Sequence, residues 1–301
     1  MILTQHSPSP TNPKRVVILG ASGFVARDLA RHLAGLGAET LTVGSAQVDL
    51  LEPGSVAKLQ AIIRPDDSLV ITSALTPEKG KDVRTFMKNL TMISQVCAFF
   101  EHGACAQVVY LSSDAVYDDS RAFVRETTPR TGLGLYGLMH AAREEMLRFA
   151  LSKSNPPLCV VRPCAIYGAG DTHNSYGPNR FMRSAIKDRK ITLFGNGEEQ
   201  RDHVYIKDVS RFLGLCLQHR TEGAVNIVTG NAVSFYDLAQ RIIKLCPHTV
   251  ELECLPRATP ITHRLFDISL RLKEFPGFQC TSLEAGLGEM FKELENRGVF
   301  P

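Results

Sequence analysis

Tyr136 and His140 stand four residues apart in the segment YGLMHAAREEML, whose spacing predicts a helix, so a phenol and an imidazole would share one helix face a turn apart. Two side chains that both exchange protons, set within one turn, point to proton-transfer chemistry. Far upstream, the run GASGFVA from Gly20 to Ala26 follows the apolar run KRVVILG and opens a helical pattern. In that context Gly20 permits a tight turn and Gly23 a close backbone approach. The N–H groups of Ser22, Phe24 and Val25, together with the helix dipole, would meet a pyrophosphate, and Ala26 takes a third position where a methyl group is tolerated.

The elements that must hold these groups follow one another as strand, glycine turn and helix. KRVVILG, the helical FVARDLARHLAGLG and the strand opened by LTVG form a β-α-β unit; SLVITSAL, QVVYLSS and LCVVRPCAIYG are continuous apolar runs suited to strands buried on both faces. This alternation predicts an α/β fold, a Rossmann-type doubly wound parallel sheet, over residues 14–167. After Gly168 the texture turns polar and rich in Gly, Asn and Pro. A smaller, interleaved α/β substrate-binding lobe is therefore expected over 168–203 and 231–301, with about 204–230 rejoining the sheet. Residues 1–13 read as a loose polar tail.

Composition narrows the partners. Among 301 residues, 34 basic and 31 acidic side chains leave a net charge of +3 with no basic block, which argues against nucleic acid and membrane surfaces. No run reaches the ~18 apolar residues of a membrane span. The eight cysteines contain no C-x-x-C pair, and most lie in apolar runs, so they read as reduced, in a cytoplasmic protein. No residue is assigned to a metal.

The second strand ends in Gly44 and Ser45, where a carboxylate would bind the adenosine ribose of NAD, and no arginine stands there for the 2′-phosphate of NADP. Both cofactors stay open. Asp49 is either an adenine contact or a loop cap.

Taken in order, G-x-x-G-x-x-A at 20–26, Asp49-Leu50, DSLVITSA at 67–74, Asn89, LSSDAVYDD at 111–119, Tyr136, RPCAIYG at 162–168, GPNRF at 177–181 and LFGNGEEQRDHVYIKDV at 193–209 resemble the extended short-chain dehydrogenase/reductase superfamily, in its nucleotide-sugar epimerase, dehydratase and ketoreductase branch. The resemblance implies an NAD(P)-dependent enzyme acting on a nucleotide-diphosphate sugar. It implies Ser113 as the catalytic hydroxyl, Tyr136 as acid/base and Asn89 as an ordering residue. It places Thr72, Ser73 and Ala74 under the cofactor ribose and Pro163 beside the nicotinamide. For substrate it implies Asp114 and Asn179 as contacts, Phe194 against the nucleobase and Arg201 on the diphosphate. Arg264 is a further phosphate candidate for which a surface role is the stronger reading. A homodimer through the tyrosine-bearing helix is implied as well.

The superfamily motif is Y-x-x-x-K, whereas this chain has His140. A phenol of pKa about 10 must lose about three units, or ~4 kcal/mol, to act as a base near pH 7. A lysine ammonium supports that shift at all working pH values; an imidazole of pKa about 6.5 is protonated in only about a quarter of molecules at pH 7. His140 is therefore expected either to donate to the cofactor ribose and titrate as a pair with Tyr136, or to face a packed interior. The reaction stays open too. Asp114-Ala115 lacks the second carboxylate of the dehydratases, SSDAVYDD resembles the keto-sugar reductases, and the longer match around 193–209 favours an epimerase. A dinucleotide-binding regulatory protein without turnover is the alternative of another class.

Overall fold

The computed structural model describes residues 3–118, 120–132, 134–152, 156–171 and 177–298. In chain order its strands are β1 (Thr4–Gln5), β2 (Arg15–Leu19), β3 (Glu39–Val43), β4 (Asp67–Ile71), β5 (Gln107–Leu111), β6 (Phe123–Val124), β7 (Leu158–Pro163), β8 (Ala165–Tyr167), β9 (Lys190–Phe194), β10 (Gln200–Arg201), β11 (His203–Tyr205), β12 (Thr221–Ile227), β13 (Val233–Ser234), β14 (Glu251–Leu255) and β15 (Leu265–Phe266). The helices are α1 (Phe24–Gly35), α2 (Ser55–Ile62), α3 (Val83–Phe99), α4 (Leu135–Leu151), α5 (Gly177–Asp188), α6 (Ile206–Gln218), α7 (Phe235–Leu245), α8 (Ser269–Glu274) and α9 (Leu283–Asn296).

The chain divides into two units, 1–118 with 126–163 and 209–227, and 119–125 with 164–208 and 228–301. Neither unit is continuous in sequence: the chain returns to the first at Val209, and 119–125 belong to the second.

In the first unit one seven-stranded sheet runs β1-β12-β7-β5-β4-β2-β3, parallel except for β1. Chain direction reverses its lateral progress between β2 and β4. That is the switch point where open α/β sheets bind ligands, at the carboxyl ends of the strands. Every residue of β2, β4 and β7 is buried, as the continuous apolar runs required. Val17, Leu19, Leu69, Ile71, Val108 and Tyr110 share a core cluster with Ile93, Val96 and Phe99 of α3 and Leu147 and Leu151 of α4, which packs these two helices against one face. On α1 and α6, Ser210 donates to Asp28 at 2.7 Å.

Residues 3–12 depart from the loose tail expected of them. Thr4 and Gln5 pair with Glu222 and Thr221, Leu3 is buried, and the amides of Ser7 and Thr11 donate to His219 and Gln218. The exposed edge of β12 needed pairing, and a segment without apolar periodicity can supply it through backbone bonds alone.

The second unit holds short two-stranded ladders, β10 with β13, β11 with β8, β14 with β9 and β15 with β6, and the helices α5, α7, α8 and α9.

Candidate active site

The first unit carries a cradle at the ends of β2 and β4. Gly20 has φ +109°, and a Cβ there would meet Thr72 Oγ1 at 2.8 Å and Ser73 N at 3.0 Å. Only a glycine closes this turn against the neighbouring strand. Thr72 doubles the link by donating both its amide (3.0 Å) and its hydroxyl (2.8 Å) to Leu19 O. Gly23 caps α1 without a side-chain hydrogen bond, so the first-turn N–H groups of Phe24 and Val25 are left to an external acceptor. This geometry fits a pyrophosphate. Arg27, which sequence reasoning passed over, donates to Ser22 O and puts a guanidinium at the same turn.

Asn89 is buried and fixes the segment after β4: its Oδ1 accepts from Leu75 N at 2.8 Å, and its Nδ2 donates to Leu75 O and Thr85 O at 3.0 and 3.2 Å. Ser73 and Ala74 are half-buried within that segment, and Ser73 Oγ is without a hydrogen-bond partner. Asp49 accepts from Leu51 N at 3.0 Å, the arrangement of a loop cap, while Leu50 lies in the core. At the end of β3, Gln47 Oε1 folds back onto Gly44 N at 2.9 Å.

Ser113 and Tyr136 are brought together by two glycines. Ser113 caps the short helical turn Asp114–Val116, accepting from Ala115 N at 3.1 Å. A Cβ on Gly137 would lie 2.0 Å from Ala115 O, and one on Gly132 would lie 2.1 Å from the same atom. The first turn of α4, with half-buried Tyr136, therefore presses directly on the turn that Ser113 begins. Pro163 ends β7, paired with Ile227.

His140 faces inward. The ring is 2% exposed, Nδ1 lies 2.6 Å from Tyr110 Oη, and Nε2 is buried without a partner. Its edge meets the Tyr136 ring with centroids 4.7 Å apart. Burial, and secondarily the Arg143 guanidinium, lower its pKa to about 3. The imidazole is therefore held neutral rather than titrating together with Tyr136, and it faces the packed interior that was the other expectation, with Nε2 closed off from solvent. The signal was the apolar surrounding that the core supplies through Tyr110, which the motif spacing does not reveal.

Below His140 the same helix contributes two buried charges. Arg143 donates to Ser73 O at 2.7 Å and to Asn89 Oδ1 at 3.4 Å. Glu144 receives Arg162 in a two-pronged pair (2.9 and 2.6 Å), Ser112 Oγ at 2.6 Å and Arg130 at 2.8 Å. These cations and the serine hydroxyl outweigh desolvation and hold its carboxyl at a pKa of about 2. Arg162 also donates to Tyr117 Oη at 2.8 Å, which donates to Asn226 at 2.7 Å.

In the second unit Arg201 and Arg264 stand side by side through a parallel bridge, with Arg264 N donating to Gln200 O at 2.9 Å. Arg201 pairs with Glu199 and donates to Thr262 O and Thr262 Oγ1. Arg257, unremarked in the sequence, shares Glu199 at 3.0 Å and donates to Phe194 O at 2.8 Å, and the Phe194 side chain is half exposed. Burial leaves Arg264 6% exposed, contrary to the surface role read for it. Asn179 is committed to structure: it accepts from Gly168 N at 3.0 Å and donates to Ile166 O and Asp171.

The sequence profile of the NAD dependent epimerase/dehydratase family matches residues 16–228, most of the chain. The chain belongs to this family. This membership brings NAD or NADP as the cofactor, and the Gly20 turn is of a shape that fits its pyrophosphate. The fold is shared with a GDP-L-fucose synthetase from Naegleria fowleri (TM-score 0.86, 16% identity, 99% of each chain covered). It is shared also with UDP-glucose 4-epimerase of Thermus thermophilus in complex with NAD (0.80, 19%, 93% of this chain and 99% of that one). A third is an NAD-dependent NDP-hexosamine 5,6-dehydratase involved in tunicamycin biosynthesis (0.81, 22%, 95% and 99%). At such identities the likeness is one of fold, and these family folds are named for three different reactions.

Proposed function

We propose that the protein is a nucleotide-sugar epimerase that moves hydride transiently between a sugar carbon and the nicotinamide. The observation that carries this reading is the contact of Gly137 with the Ala115 carbonyl, which fixes Tyr136 against the turn begun by Ser113, in the unit that also holds the Gly20 cradle. Bound NAD or NADP supplies a hydride acceptor. Tyr136 then takes the proton of the sugar hydroxyl as hydride leaves the carbon and returns it when hydride comes back on the other face; Ser113 Oγ orients the sugar oxygen. The second unit contributes cationic donors: Arg201 and Arg257 share Glu199, Arg257 also meets Glu198, and Arg264 is bridged to Arg201 through the backbone, a cluster whose guanidinium groups suit a diphosphate, with Phe194 for the base. Asp114 is followed by Ala115, so a dehydratase's second carboxylate is lacking.

His140 supports one amendment. A neutral imidazole gives Tyr136 no fixed positive charge to help it take the hydroxyl proton. The reductase reading draws on the carboxylate-free end of β3, where Gln47 covers Gly44, and the binding module draws on the same neutral imidazole.

The deciding experiment incubates purified protein with UDP-, dTDP- and GDP-sugars, with and without added NAD(P)H, after the copurifying dinucleotide has been identified by mass. Conversion without added cofactor supports the epimerase. Stoichiometric NAD(P)H consumption on a keto-sugar replaces it with the reductase, and binding without conversion leaves the module. Replacing Arg201 by Met should weaken sugar-nucleotide affinity and spare dinucleotide affinity.

The helix pair α3 and α4 exposes Val83, Met87, Leu138 and Phe149, an apolar set that supports a homodimer; light scattering of Phe149→Asp tests it. Eight free cysteines support a cytoplasmic location. Among the described residues no helix is long and apolar enough to cross a membrane.

A further inference from the structure

The second unit contains a cavity of about 490 Å³ between α7, α8 and the start of α9, within the size range of small-metabolite sites. Asn179, Phe194, Arg201 and Arg264, the candidate substrate contacts, are absent from its lining. We infer that this cavity binds the phosphate of a small phosphate-bearing metabolite at the N-terminus of α9, with Arg271 as its principal side-chain partner.

Arg271 lines the cavity and is 3% exposed. One donor goes to Phe278 O at 3.1 Å, its guanidinium lies 5.6 Å from the Phe278 ring centre, and Nε is buried without a partner. No carboxylate among the described residues pairs with it. A guanidinium has five N–H donors, and burying one with its Nε–H unpartnered and no counter-charge is costly. An anion in the cavity would relieve both costs.

The helix end supplies matching donors. Ser282 caps α9 by accepting from Ala285 N at 3.2 Å, and Gly286 N returns to Ser282 O at 2.9 Å. The amides of Leu283 and Glu284 have no intrahelical acceptor, and both residues line the cavity at the positive end of a 14-residue helix. Asn231 adds an uncommitted side-chain amide on the lining. The opposing charge is Glu284, which is paired with Arg241, so the lining carries two cations against one anion. A phosphate, with three acceptor oxygens and a charge near −2, answers a fork of guanidinium donors and two backbone amides better than a singly charged group does.

The test is calorimetric titration of the NAD-saturated full-length protein with inorganic phosphate and, separately, with a hexose monophosphate. Saturable binding is expected. Leu283→Pro deletes one donor at the first helical position, where proline is tolerated and where Ser282 already has the extended backbone (ψ 151°) that a proline requires before it; it should weaken affinity at least tenfold. Arg271→Met should abolish binding, Glu284→Gln should tighten it several-fold by releasing Arg241, and Arg201→Met should leave it unchanged. Inorganic phosphate binding as tightly as the ester assigns the pocket to the free ion, and tighter binding of the ester to the metabolite. Absence of saturable binding, affinity unchanged in Leu283→Pro, or binding that disappears with Arg201 overturns the proposal, whether or not the sugar-nucleotide reading holds.

Discussion

The Tyr110 hydroxyl lies 2.6 Å from Nδ1 of His140, and both groups are held neutral, since burial lowers the imidazole pKa to about 3 and raises that of the phenol. The phenol can then donate to Nδ1, which leaves the imidazole proton on Nε2. The imidazole of His140 is part of the core.

One consequence is thermodynamic. His140 and His203 both have pKa values near 3 in the folded chain, His203 through burial and then Arg201. The unfolded chain takes up these protons below about pH 6.5, whereas the folded chain does not until about pH 3. Stability therefore falls as pH is lowered through that window, by about 1.4 kcal/mol per pH unit for each histidine. Urea unfolding between pH 4 and 7 should show an acid slope to which each of these two histidines contributes about one proton, and His140→Gln should remove about one.

A second consequence is kinetic. Because the imidazole does not titrate in the working range, the pH profile of kcat/KM should show no ionisation near 6.5 belonging to His140. His140→Gln should preserve the profile, and Tyr136→Phe should cost at least ~10²-fold in kcat. Disappearance of a limb near pH 6.5 in His140→Gln would show that the imidazole takes part.

Gly137→Ala tests the positioning of the tyrosine. The added methyl would meet the Ala115 carbonyl at 2.0 Å, so α4 must move away from the turn that carries Ser113. Overpacking of this kind costs about 1–3 kcal/mol, so the variant should still fold. Activity should drop by two or more orders of magnitude while dinucleotide affinity, measured by fluorescence quenching, stays close to wild type. Gly20→Ala should do the reverse, losing affinity first.

Much of this site was legible because strand and glycine patterns report backbone requirements. The run ending at Gly20 and the buried strands follow from the spacing of apolar residues and from a turn that admits no side chain. Three features were not legible. His140 needed the position of Tyr110, which is 30 residues away and reads as an ordinary strand residue. The β1 pairing uses backbone bonds that leave no apolar trace. Asn179 carries the polar chemistry expected of a ligand contact, yet the structure spends that chemistry on Gly168, Ile166 and Asp171; residue type alone does not separate these uses.

Glu144 links the site to the fold more widely than any motif residue does. It holds Ser112, which precedes Ser113, and Arg162, which precedes Pro163, from the helix that carries Tyr136. Glu144→Gln keeps the volume and removes the charge, leaving Arg162 buried against a neutral amide, a loss of about 3–5 kcal/mol on general grounds. With its folded pKa near 2 against an ordinary 4.5, the carboxylate's contribution is complete above about pH 4.5 and disappears as pH falls toward 2, so the variant's deficit should shrink in acid. At neutral pH kcat should fall more than KM rises, because the change displaces Ser113 and Pro163 together and leaves the unit with Arg201 untouched. Equal melting temperatures for the two proteins at pH 7 would mean that Arg162 finds another counter-charge and that the network is not what aligns the site.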